Sequence, residues 1–189
     1  TVEQDCEVKF FTLKDDVGHK TYVRAATMMF LKAVQDLFGR ENAQKCRVEF
    51  TIGNGYYISV GDVALSTAEN ADRICKRMKE LQDSRIPFMK KSYPLGDAMD
   101  LFREQGMEDK EKLFRYRRSS FVNIYELDGY YDYYYGYMMP NTGYVKWFDV
   151  IDYEGGFMLL LPTKKEPCSV GPFKEQKKLF GDYGFYATD

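Results

Sequence analysis

Residues 128–144, DGYYDYYYGYMMPNTGY, put seven tyrosines into seventeen positions and then turn through Pro140, Asn141, Thr142 and Gly143. Tyrosines at alternate strand positions present one row to a core and one to solvent, each ring bringing apolar area with a polar tip. Tyr133, Tyr134 and Tyr135 are consecutive, so both faces carry rings and at least one row must line something half-wet: a groove, a pocket or a partner surface.

Working outward, the segments that follow and precede this stretch read mostly as strands. SSFVNIYEL, the tyrosine stretch, YVKWFDVIDY and FMLLLP are rich in aromatic and branched residues and are punctuated by glycine. They predict an antiparallel sheet. CRVEFTI and YYISVGD flank Gly53-Asn54-Gly55 and read as a hairpin, EVKFFTL (residues 7–13) reads as a strand, and so does Ile86–Lys91, with Ser92-Tyr93-Pro94 as its break.

Helices are expected in front of that sheet. Val23, Thr27, Phe30, Val34 and Leu37 form the apolar stripe of an amphipathic helix over 21–38 that stops at Gly39. Ser66 and Glu69 have capping-box spacing ahead of Ile74, Met78 and Leu81. A third helix from residue 95 buries Ala98, Leu101 and Phe102 and ends at Gly106, with a shorter one expected from Lys110. The fold class is therefore α+β, an antiparallel sheet packed with helices. Residues 1–162 read as one domain, and 163–189, with Pro167, Pro172 and KEQKKLF, as a C-terminal tail.

The chain has 189 residues, 44% of them hydrophobic, enough for one domain with a real core. Its 27 basic and 29 acidic residues nearly balance, which excludes a strong overall attraction to nucleic acid or anionic membranes. No apolar run is long enough to span a bilayer and no charged start followed by an apolar stretch reads as a signal peptide, so a cytoplasmic location is expected. A chain that begins Thr-Val-Glu-Gln is expected to be a segment of a longer protein.

Chemistry-bearing patterns are sparse. Cys6, Cys46, Cys75 and Cys168 form no CxxC pair and read as free thiols in a reducing compartment. His19, the single histidine, sits in the polar turn Asp15–Lys20 and is expected to be solvated. Gly53-Asn54-Gly55 lacks the lysine and helix of a phosphate loop. Asp128 and Asp132 are the one local carboxylate pair worth inspecting, with two water-facing strand-end residues as the plainer expectation. Arg115, Arg117 and Arg118 with Lys110 and Lys112 are the strongest basic cluster, but Glu108, Asp109 and Glu111 are mixed into it, which favours a solvated face.

The order of RAATMMFLKAVQDLFG, VEFTIGNGYYISV, DRICKRMKELQ, DAMDLFREQG and DYYYGYMMPNTGYVKWFDV resembles the second additional domain of threonyl-tRNA synthetases, the editing module shared with alanyl-tRNA synthetases. The likeness runs from Tyr22 to Pro162. It is closer to the version found in the leading half of bacterial nucleoside (uridine) kinases, where a P-loop kinase domain follows. The resemblance implies that ATP and magnesium belong to that absent kinase domain and that this segment carries no cofactor.

In the editing module an HxxxH pair on the first helix meets a cysteine and a histidine on the late strand and loop. Aligned on LFG and PNTG, those positions hold Arg24, Met28, Tyr134 and Met138. None is a ligand or base of the expected kind, so no metal and no catalytic residue is expected. Tyr57, Tyr135, Tyr137, Asn141 and Thr142 are expected to wall the cleft. The leading expectation is a noncatalytic binding or regulatory domain of a uridine kinase, partnered by its own kinase domain. A small anionic ligand or nucleotide would be its ligand, with tRNA a weaker candidate and a membrane none. The alternatives are a metal-independent hydrolase editing mischarged tRNA and a structural dimerisation or packing domain.

Overall fold

A computed structural model describes residues 7–104, 106–107, 112, 114 and 120–173. Fully within the described residues lie the helices α1 (Asp16–Phe38), α2 (Arg40–Lys45), α3 (Ala68–Ser84) and α4 (Leu95–Glu104), accompanied by seven strands. The strands are β1 (Arg47–Ile52), β2 (Gly55–Ser59), β3 (Met89–Pro94), β4 (Phe121–Leu127), β5 (Tyr130–Asp132), β6 (Asp149–Tyr153) and β7 (Gly156–Leu160). All pairings are antiparallel, and the α+β class stands.

Two sheets form instead of the single one expected: a four-stranded sheet in the order β1-β2-β7-β6 and a three-stranded sheet in the order β3-β4-β5. The separation comes from residues 133–148, which run without a strand from β5 to β6 apart from a 3-10 turn at Thr142–Tyr144. Only Tyr130–Asp132 of the tyrosine stretch is a strand. Gly136, at φ +121°, and Pro140 interrupt the pattern that the aromatic content favours.

The hairpin at Gly53-Asn54-Gly55 is as expected, with Ile52 paired to Gly55 and Gly53 at φ +59°. Residues 7–12, in contrast, pair with no strand, and Val8, Phe10 and Phe11 are exposed. Alternation reports a strand's two faces but not whether a sheet edge lies beside it. Asp15–Lys20 is not a solvated turn: α1 begins at Asp16, and the His19 ring lies 3.1 Å from the Pro162 carbonyl. The cap of α3 is Thr67, whose hydroxyl accepts from the Asn70 amide, while Ser66 donates to the Gly156 carbonyl. β3 starts three residues later than expected and runs through Pro94, which closes an edge strand at its last residue. At the end of α4, Gly106 takes φ +73° and Met107 N bonds the Phe102 carbonyl.

Both sheets feed one core. Tyr56 and Ile58 on β2, with Phe157 and Leu159 on β7, join Phe30, Val34, Ile74 and Met78 of the helices, and the same cluster takes Val122, Ile124 and Leu127 from β4. The opposite face of the four-stranded sheet holds Ile52, Tyr57, Met158 and Leu160, covered by Val170 and Phe173 of the tail. Asn54 donates to the Gly171 carbonyl at 3.0 Å, so residues 163–173 lie back on this sheet. Cys6, Lys110, Arg115, Arg117, Arg118 and the KEQKKLF tail lie outside the described residues, while Lys112 and Phe114 of the helix expected from Lys110 are described, both helical. No helix among the described residues is long and apolar enough to cross a membrane.

Candidate functional site

The loop from Tyr133 to Met139 crosses α1 and is held there by three side chains. The Asp132 carboxylate accepts the Tyr133 amide at 2.6 Å, the Tyr125 hydroxyl donates to the Gly136 carbonyl at 2.8 Å, and Arg24 Nε donates to the Tyr137 carbonyl at 3.0 Å. The Arg24 guanidinium lies so close over Gly136 that a β-carbon there would sit 2.8 Å from Arg24 Cζ. A side chain at position 136 would displace Arg24, and only glycine takes φ +121° without strain.

Arg24 and Met28, four residues apart on α1, face this loop side together. Met28 is fully buried and Met138 is half-buried against the same core, so both act as packing. Tyr134 drives its ring inward until its hydroxyl is fully buried with no hydrogen-bond partner. Burial holds that phenol well above its ordinary range, so it stays neutral at any physiological pH. The four aligned positions thus hold Arg24, two methionines packed on the core and an inert phenol, which offer neither a base nor a nucleophile. Among the described residues no cluster of His, Cys, Asp and Glu could hold a metal ion.

The expected cleft wall divides. Tyr57 stands on the far face of the four-stranded sheet, where it stacks on Phe50 at 5.0 Å and donates to the Glu154 carbonyl. Its neighbours Tyr56 and Ile58 face the core instead, a consequence of strand alternation that the residue type conceals. Thr142 is fully buried: its hydroxyl donates to the Leu81 carbonyl at 2.5 Å and accepts the Ile86 amide at 2.9 Å. Asn141 caps the turn by accepting the Gly143 amide. Asp132 is buried, accepting the Tyr130 hydroxyl at 3.2 Å, contrary to the water-facing expectation. Asp128 pairs with buried Lys32 at 3.3 Å, so the two carboxylates have separate structural partners.

Tyr135 and Tyr137 remain exposed, at 86% and 71%, and with Phe121 they rim a groove of about 470 Å³. Strand register explains its floor. Lys90 pairs with Tyr125, Ser92 with Asn123 and Pro94 with Phe121, so Lys90, Asn123 and Phe121 share the face over which the loop passes. Lys90 Nζ lies 5.7 Å from the centre of the Tyr137 ring. Neither Lys90 nor Arg24 has a carboxylate partner among the described residues. Lys90 was not foreseen in the sequence. Its signal, a lysine one strand away from a tyrosine-rich loop, appears only when the β3–β4 register is known.

No family model matches the chain. It is 30% identical over 158 residues to the threonine–tRNA ligase of Thermotoga maritima, covering 82% of this chain and 24% of that protein. The threonine–tRNA ligase of Syntrophotalea carbinolica is 28% identical over 162 residues and that of Francisella tularensis subsp. novicida 27% over 166, with the same coverage. The chain is thus distantly related to a segment of these ligases and spans 24% of the length of the curated relatives it matches.

Proposed function

We propose that this domain is a noncatalytic binding module whose groove takes a nucleotide: a planar base against the exposed rings and an anionic group at Lys90. The observation that carries the reading is the pairing of an inert interior with an open exterior. Met28 is fully buried, Arg24 is tied to the loop backbone and the Tyr134 hydroxyl is buried, while Tyr135, Tyr137, Phe121 and Lys90 line the groove beside them. Base–aromatic stacking contributes roughly 1–3 kcal/mol per base and a lysine adds an electrostatic anchor. The resemblance of residues 22–162 to the leading half of bacterial nucleoside kinases supports a regulatory role toward a kinase domain that phosphorylates uridine with ATP and magnesium. The ligase relatives support only the domain type.

Titrating the 15N-labelled chain with uridine 5′-monophosphate tests this. Saturable shifts at Gly136, Tyr137 and Lys90, weakened roughly tenfold by Lys90→Ala, are expected from loss of one anchoring charge. Release of amino acid from a mischarged tRNA above a buffer control would overturn the noncatalytic reading, and absence of saturable shifts would overturn the nucleotide one.

A further inference from the structure

The turn after the tyrosine loop builds a second concavity, of about 310 Å³, lined by Arg85, Asn141, Gly143, Tyr144 and Lys146. It shares no lining residue with the groove above. Arg85 ends α3 in the left-handed region, at φ 51°, and its stem lies on Gly143, where a β-carbon would come within 2.8 Å of Arg85 Cγ. Two residues beyond Tyr144, Lys146 also lines the concavity.

We infer that this concavity is a phosphate-binding site. Every polar side-chain group left to it is a donor. Asn141 commits its carbonyl oxygen to the Gly143 amide, which leaves its NH2 for the concavity. Tyr144, 55% exposed, presents a phenol, and Arg85 and Lys146 present full charges with no carboxylate among the lining residues or as an ion-pair partner among the described ones. The carboxyl end of α3 opposes an anion, but its dipole amounts to roughly half a charge against two full positive charges. An arginine and a lysine around one small hollow suit a tetrahedral oxyanion, with the guanidinium supplying paired N–H donors and the ammonium a point charge.

Phosphate arrives either as a free or terminal monoester or as a diester within an RNA strand, and the test separates them. The 15N-labelled chain is titrated with inorganic phosphate and, separately, with a short RNA lacking terminal phosphates. Saturable shifts of the Asn141, Gly143 and Tyr144 amides are expected with at least one probe, and the tighter probe identifies the source. Lys146→Glu, at an exposed side chain beside the ring of its neighbour Trp147, should weaken binding by roughly tenfold or more through charge reversal. Arg85→Glu should do the same. Shifts that stay linear with both probes, or that persist unaltered in Lys146→Glu, would overturn the proposal without bearing on the groove.

Discussion

A buried phenol without a partner is an unusual thing for a core to keep. The Tyr134 hydroxyl is such a group, and leaving a buried donor unpaired costs about 1–3 kcal/mol. Tyr134→Phe removes the hydroxyl and keeps the ring, so the variant should be more stable by about 1 kcal/mol, read as a higher urea midpoint at unchanged slope. A lower midpoint would mean that the hydroxyl has a stabilising partner. Cys46 gives the pH counterpart. Burial pushes its thiol up to about 12 from an ordinary 9.0, so the folded chain keeps the proton longer than the unfolded one. Its contribution is full below about pH 9 and is lost as pH rises toward 12, by up to about 1.4 kcal/mol per pH unit. Cys46→Ala should therefore flatten the alkaline decline of stability across that window. An equally steep decline in the variant would assign it to buried Tyr22 or Tyr130, whose phenols burial also pushes up.

Between elements, Thr142 has the largest structural role of the residues taken for a cleft wall. Its hydroxyl joins the end of α3, through Leu81 O, to the approach of β3, through Ile86 N, and its own amide donates to the Ile86 carbonyl at 2.9 Å. Thr142→Val keeps the shape but orphans both side-chain partners, and should cost about 2–4 kcal/mol. A loss below about 0.5 kcal/mol would show that water reaches those groups. This is also where the limits of the sequence are clearest. The stripe on α1, the Gly53-Asn54 turn and the stop at Gly106 were legible because each depends on local conformation. Residues 7–12, Tyr57 and Lys90 were not, because whether a strand finds an edge, and which face a residue takes, depend on register with segments far along the chain. The Arg24–Gly136 contact lay between: the alignment brought Arg24 to the loop, but that it meets the Tyr137 backbone carbonyl and a bare glycine there depends on how the loop folds.

For the whole molecule, the question is whether two sheets make two units or one. Their strands are not hydrogen-bonded to each other, yet Ile124 and Val122 of the three-stranded sheet lie in the same buried cluster as Phe157 and Leu159 of the four-stranded one, with α1 among both. A shared core makes unfolding cooperative, so losing one sheet should take the other with it. Trp147, the single tryptophan, reports from the connection between them, because the Tyr22 hydroxyl on α1 donates to its carbonyl at 2.7 Å and accepts its amide at 2.8 Å. Ile124→Ala cuts into the core from β4 and should cost about 2–4 kcal/mol. If the molecule is one unit, Trp147 fluorescence and far-ultraviolet dichroism lose their midpoints together and by the same amount. If the sheets are separate units, the dichroism transition splits while the Trp147 midpoint stays where it was, and the groove on β3 and β4 could then open independently of the turn that carries Arg85 and Lys146.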